Sequence, residues 1–480
     1  MERPLLSFFF ALSITGAIAG HLPGGDITYV STGPNEYAVT LTLFRDCSGT
    51  PLQAQALSFA SDCGLSYTLN ALPVSSGTEV SQLCPADLPN STCNGGALPG
   101  IEVYTVTTTA FMGACDSWVI SWNECCRTGA LNVDGNPGTY IETRLNSATA
   151  PGNNSPVFTQ DVIPYVCLNQ PVSYNLGVTE PDGNTLRYSL IAARDFSTAP
   201  FDVTYETGYT GAEPFTGMTI DSLTGQIAFT PTLQGNIITA VQVDEYNDDG
   251  DLVGSVMRDF LFVVIPCPNN APDPMSGTIT NVTGSVSSTA NSIDLCSYGN
   301  VCFDLEISDA DAAQALTLAS NLVDVLPEAT MIATGTNPVT ASICFAPDST
   351  DSGTYNFVIT AEDDGCPNTA LTTFAYTITI LNDTTAACST TGINTSPAEA
   401  FGISPQPASG PLTVIMPIAI QECNVEVIDL VGKTCARSTI QPIEGRTTFT
   451  LPDDLKSGRF FLRITEAAGT QHVLPFTLVR

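Results

Sequence analysis

Histidine and lysine are nearly missing from this 480-residue sequence, which holds two of each. The histidines are His21 and His472, so the long body between them offers no imidazole to a Ser-His-Asp or Cys-His site. No G-x-S-x-G, no H-E-x-x-H and no glycine-rich phosphate loop opening a helix is present. Carboxylate pairs for glycoside hydrolysis carry no information, because 48 acidic residues always supply some pair at a suitable spacing. The chain therefore reads as non-enzymatic. Both lysines, Lys433 and Lys456, fall after residue 400, where seven basic and seven acidic residues balance; residues 1–400 hold seven basic and 41 acidic ones. That shift marks a boundary near residue 400. A net charge of −34 excludes nucleic acid as a partner and favours cations, or else serves only to keep an exposed protein soluble.

Long apolar runs are also lacking. Beyond the first twenty residues the longest, such as FLFVVI at 260–265, have strand length, far below the roughly 18 residues needed to span a bilayer. The opening MERPLLSFFFALSITGAIAG, with Ala17 and Ala19 as small residues after an apolar run, reads as a signal peptide (1–19) cleaved after Ala19. The mature chain is then exported, to the cell surface or the medium, and lacks a transmembrane helix. In that setting sixteen cysteines mean disulfides rather than metal thiolates. Seven precede residue 130, so at least one stays free or pairs outside that region. The expected local bridges are Cys84 with Cys93 and Cys423 with Cys435. Cys167 with Cys267 would close one domain end to end, and the adjacent Cys125 and Cys126 are expected in two different bridges.

Helical periodicity is scarce. Segments such as EYAVTLTLF (36–44), IEVYTVTTTAF (101–111) and FAYTITIL (374–381) alternate with period two between Gly-, Pro- and Asn-rich turns, which predicts an all-β fold of tandem β-sandwiches. An internal repeat organises the middle: YNLGVTEPDGNTLRYSL (174–190) matches FDLEISDADAAQALTLA (303–319), GQIAFTP (225–231) matches ASICFAP (341–347), and RDFLFVVI (258–265) matches TTFAYTIT (372–379). The predicted domains are a disulfide-rich N-terminal β domain (20–156), two sandwich copies (157–268 and 269–383), a linker (384–400) and a small C-terminal β-sandwich (401–480).

The stretch DEYNDDGDLVGSVMRDF (244–260) has the acidic rhythm of a calcium loop, yet Val256 stands where an EF-hand needs its bidentate glutamate, and no helix flanks it. It reads as a β-hairpin turn, with Asp248-Asp249-Gly250 falling on Asp363-Asp364-Gly365 of the second copy. Calcium held by loops is the sharper candidate. Glu180 with Asp182, and Asp309 with Asp311, place carboxylates two apart at one end of each copy; solvated surface turns are the alternative. Trp118 and Trp122 share one strand face and either line a core or stack on a sugar ring.

TEPDGNTLRYSL and GMTIDSLTGQIAFTPT resemble the cadherin-like and immunoglobulin-like modules of bacterial surface proteins. HLPGGDITYVSTGPNEYAVTLTLFRDCSG (21–49) resembles the N-terminal domain of large exported proteins of gliding Bacteroidetes. Four blocks, ISPQPASGPLTV (403–414), VEVIDLVGKTC (425–435), LPDDLKSGRFFLRI (451–464) and VLPFTLVR (473–480), resemble the type A C-terminal sorting domain of type IX secretion substrates. Gln406 departs from that pattern, which commonly has asparagine there. The resemblance implies the outer-membrane type IX machinery and its sorting peptidase as partners. It also implies cleavage between about 384 and 402 and attachment to anionic lipopolysaccharide. The role it implies is adhesion, surface structure or gliding-associated contact. The alternative is a secreted carbohydrate-binding, lectin-like protein whose partner is an extracellular polysaccharide.

Overall fold

A computed structural model describes residues 22–480 apart from 197–199, 298–299, 348–350, 383–384, 386, 389–400, 417–421, 444–445 and 467–469. The expected signal peptide (1–19) and nearly all of the expected 384–400 linker lie outside the described residues. The chain divides into two compact units, Met1–Ser389 and Thr390–Arg480. Both are built from strands, and the single α-helix among the described residues is the one-turn Leu322–Val325. No helix among them is long and apolar enough to cross a membrane.

The repeat appears in the pairing pattern as two β-sandwiches of like strand pairing. In the first copy Tyr165–Cys167 runs parallel to the end of Leu252–Ile265, which pairs antiparallel with Gly235–Tyr246, which in turn pairs with Thr185–Ile191. In the second copy Ser292–Cys296 runs parallel to Leu371–Leu381, which pairs with Gly353–Glu362 and through it with Thr317–Ser320. Alternate residues such as Phe260, Phe262 and Val264, or Phe374, Tyr376 and Ile378, are buried. Each such side chain contributes about 1.5–3 kcal/mol by leaving water.

The expected boundary at 156 is crossed by a sheet. One edge of the 14-residue strand Leu252–Ile265 pairs with Thr139–Leu145 and Gly24–Gly33 before it reaches Tyr165–Cys167. The eight N-terminal strands and six strands of the first copy thus form one continuous 14-stranded sheet, and the first copy's other five strands form a three-stranded and a two-stranded sheet. Two buried ion pairs hold the seam. Arg258 bonds Asp26 at 3.2 Å, with the Phe44 and Phe158 rings 5.1 and 4.7 Å from its guanidinium, and Arg127 pairs with Asp259. Removing one partner of such a pair strands a buried charge, at a cost of about 3–5 kcal/mol. Gly24 makes the close approach feasible, since a Cβ there would collide with the Asp259 carbonyl. Sequence patterning is local and carries no trace of this non-local pairing.

Seven disulfides form, and they mark a chain that folds in an oxidising compartment, as extracellular and secreted proteins do. Cys167 bonds Cys267, with Cα atoms 5.3 Å apart. Three expectations are corrected. Cys93 bonds Cys47, while Cys84 reaches across 282 residues to Cys366 and ties the N-terminal region to the second sandwich. Cys125 and Cys126 bond each other. Cys423 and Cys435 remain thiols: Cys423 lies opposite Ile440, five residues along the partner strand from Cys435, about 17 Å at strand rise and beyond the roughly 7 Å limit for a bridge.

The second unit is a small sandwich of a three-stranded sheet (Gly402–Ser404, Leu412–Ile415, Arg446–Phe449) and a four-stranded one (Cys423–Ile428, Thr434–Ile440, Gly458–Glu466, Gln471–Leu478). Its core includes Leu412, Val425, Leu462, Ile464 and Phe476.

Candidate functional site

The acidic residues singled out by spacing sit at one pole of each copy, and the structure surrounds them with side-chain amides. In the first copy the loop after Val178–Thr179 curls so that Glu180 accepts from the Asp182 and Asn184 backbone amides at 3.1 and 2.6 Å. Asn154 donates to both Asp182 oxygens at 2.6 Å, through its backbone N–H and its Nδ2. The third carboxylate is Glu245, near the end of Gly235–Tyr246 and fully buried, accepting from Asn153 at 2.8 Å and Asn184 at 2.7 Å. Oxygens of Glu180, Asp182 and Glu245 lie within 4.8 Å of one another.

The second copy repeats four of these contacts, without counterparts to the Asn184 bonds on Glu180 and Glu245, and among the described residues the convergence of three carboxylates within 4.8 Å is found in the first copy and not in the second. Asp309 accepts from the Asp311 amide at 2.6 Å, as Glu180 does from Asp182. Asn270 donates to Asp311 at 2.8 and 3.2 Å, as Asn154 does to Asp182. Asn269 donates to Asp363 at 2.7 Å, as Asn153 does to Glu245. Gln314 donates to Asn269 at 2.6 Å, in the place of Asn184 on Asn153. Gly365 is required beside this cluster because a Cβ there would collide with the Asn269 amide.

Charge makes these poles unusual. None of the six carboxylates has an ion-pair partner among the described residues. Burial, reinforced by the Glu180 charge and only partly offset by Asn153 and Asn184, pushes the Glu245 carboxyl up to about 8. Burial likewise raises Glu180, Asp309 and Asp363. The Asp309 side chain is more than nine-tenths buried, yet its Oδ2 has no hydrogen-bond partner. A buried acceptor left unmatched in this way costs about 1–3 kcal/mol, more when charged. An all-oxygen set of carboxylates with no counter-charge fits a hard divalent cation such as calcium better than a transition metal.

Four of the six carboxylates were marked by sequence; Glu245 and Asp363 were not. The shared Asp-Asp-Gly aligns Asp363 with Asp248 in sequence, but its structural counterpart is Glu245, three residues before Asp248. Asp248 belongs to the hairpin turn 247–251, where Gly250 takes φ 83° as the turn reading requires. The missed signal was the pair Asn-Asn-Ser-Pro (153–156) and Asn-Asn-Ala-Pro (269–272), one ahead of each copy. Trp118 and Trp122 are 1% and 2% exposed and donate to the Gly113 carbonyl and to Gln55, both at 2.8 Å. They are core, which removes them as a sugar platform. Of the histidines, His21 lies outside the described residues, and His472 stacks on Phe401 and pairs with Glu466 in the second unit.

No protein-family model matches the chain. It is similar to an integrin beta-like protein A of Dictyostelium discoideum, 26% identical over 141 residues; that match covers 28% of this chain and 6% of the relative's length. Among solved structures it is similar to the Bacteroides ovatus glucan-utilisation protein SGBP-B in complex with a mixed-linkage heptasaccharide (15% identity, 68% of this chain and 71% of that one, TM-score 0.16). It is also similar to cadherin-like domains 1 to 4 of zebrafish RET (10% identity, 67% and 72%, TM-score 0.15). The eight N-terminal immunoglobulin domains of a Down syndrome cell adhesion molecule match at 8% identity, over 92% of this chain and 47% of that one (TM-score 0.16).

Proposed function

We propose that this is a non-enzymatic, exported surface protein whose tandem sandwiches form a disulfide-stapled scaffold for adhesion or surface structure, stiffened by calcium at the pole of each copy. The observation that carries the reading is the duplicated carboxylate–carboxamide cluster. Glu180, Asp182 and Glu245 would hold the ion in one copy; Asp309, Asp311 and Asp363 would hold it in the other. Calcium supplies the positive charge that these carboxylates lack, and the surrounding amides hold the carboxylates in place before it arrives. Each cluster joins a segment preceding its sandwich (153–154 or 269–270) to two loops within it, so cation binding ties entry segment and sandwich together.

The C-terminal unit would provide the address. Its four sequence blocks support export through a type IX-like route, with the sorting peptidase and anionic lipopolysaccharide as the partners that follow. Calcium titration followed by thermal melting tests the scaffold: at a 100-fold excess over Kd, stabilisation of about 2.7 kcal/mol is expected. No shift at millimolar calcium overturns it. Fractionation with and without residues 401–480 tests the address. Retention of the truncated chain inside the cell supports it, and unchanged surface display refutes it.

A further inference from the structure

The hairpin turn that resembles a calcium loop in sequence borders a cleft of about 490 Å³, lined by Thr185, Arg187, Tyr246, Asn247, Asp248 and Gly250. That volume lies within the range of small-molecule sites. Thr185 and Arg187 are two apart on Thr185–Ile191 and share a face, and Thr185 is in register with Tyr246 on the neighbouring strand. Glu245 and Asn184, one residue before Tyr246 and Thr185 respectively, belong to the carboxylate cluster, so the cleft and the cluster share two strands.

The cleft is distinguished by its cation. Arg45, Arg127, Arg144, Arg194 and Arg258 all pair with carboxylates. Arg187 is the one arginine among the described residues of the first unit that does not; it is exposed, and its guanidinium donates only to the Leu186 carbonyl at 2.9 Å. Its cross-strand neighbour Asp244 is occupied by Gln242 at 2.7 Å. The remaining lining suits a polyol. Tyr246 is half-buried with a hydroxyl that has no hydrogen-bond partner among the described residues. Asn247 uses its Oδ1 to receive the Asp251 amide at 2.8 Å, which leaves its Nδ2 to donate, and Asp248 is exposed and accepting. An aromatic side chain beside groups able to donate to and accept from hydroxyls suits a pyranose ring, and an unpaired guanidinium suits a carboxylate on it.

We propose that this cleft binds a carboxylate-bearing saccharide, with the uronic carboxylate on Arg187, the ring against Tyr246, and its hydroxyls on Asn247 and Asp248. This deepens the surface-binding reading by naming a ligand class, and it does not use the buried tryptophans. The acidic turn sets a limit: Asp248, Asp249 and Asp251 repel densely charged polyanions, so a sugar with sparse carboxylates is favoured. The test is titration calorimetry of the full exported chain, at low salt, with cellobiouronic acid and with cellobiose, which differ only in the carboxylate. Cellobiouronic acid should bind about tenfold more tightly than cellobiose. Arg187→Gln should erase that difference, and Tyr246→Ala should weaken both sugars. Equal binding of the two sugars, no binding of either at millimolar concentration, or an unchanged preference in Arg187→Gln overturns the assignment. If calcium stabilises the chain while cellobiouronic acid fails to bind, the saccharide site falls and the scaffold stands.

Discussion

Glu245 is the residue whose replacement reports most about the first cluster. It is fully buried, it borders Glu180, and its carboxyl is raised from 4.5 to about 8. An acid with a higher pKa in the folded than in the unfolded chain favours folding while the folded state keeps the extra proton. That contribution is complete below about 4.5, shrinks as pH rises, and is gone above about 8. At about 1.36 kcal/mol per pKa unit, the loss across the window amounts to a few kcal/mol. In chelator, denaturant unfolding of the wild type should show stability falling by a few kcal/mol between pH 5 and pH 8.5. Glu245→Gln keeps the shape and does not titrate, but its Nε2 is a donor, so it can accept from only one of Asn153 and Asn184; its profile should be flatter by that amount whatever its offset from the wild-type curve. Parallel profiles for the two proteins would refute the burial of Glu245 beside Glu180.

Other outcomes follow from the same structure. Asp309→Asn replaces the carboxylate whose Oδ2 is unmatched by a neutral amide that can still accept from Asp311 through its Oδ1; in chelator it should be neutral or stabilising by about 1 kcal/mol, and in calcium destabilising relative to wild type, read as a reversal of the Tm difference. Replacing Cys84 and Cys366 together by serine should lower stability by about 2–5 kcal/mol and expose the second sandwich to limited proteolysis. Trp122→Ala should cost about 3–5 kcal/mol in unfolding measurements while leaving saccharide binding in calorimetry unchanged, because the ring is core and its loss also strands Gln55.

What was legible in the sequence was what local pattern encodes. Period-two alternation marked the strands, the repeat marked two sandwiches of like topology, and carboxylates two apart marked the loops at their poles. What was hidden depends on residues far apart in the chain. Nothing around Glu245 signals that it meets Asn153, 92 residues away. The match of Asp248 to Asp363 follows the most conspicuous tripeptide, whereas the structure equates Glu245 with Asp363 through the asparagine each accepts from, Asn153 and Asn269. The same limit explains the seam at Asp26 and Arg258, and the pairing of Cys84 with Cys366 instead of the nearby Cys93. Tryptophans four apart show a shared face but not which side of the sheet is solvent; packing decided that.

The most direct test of the central claim is calcium binding by the full chain at neutral pH, measured by calorimetry in buffers of different ionisation enthalpy. The account predicts at least one saturable ion per sandwich, with proton release on binding as Glu245 ionises; Glu245→Gln should lose the first site and the proton, and Asp309→Asn the second site. Absence of saturable binding, or binding that neither variant alters, would contradict it.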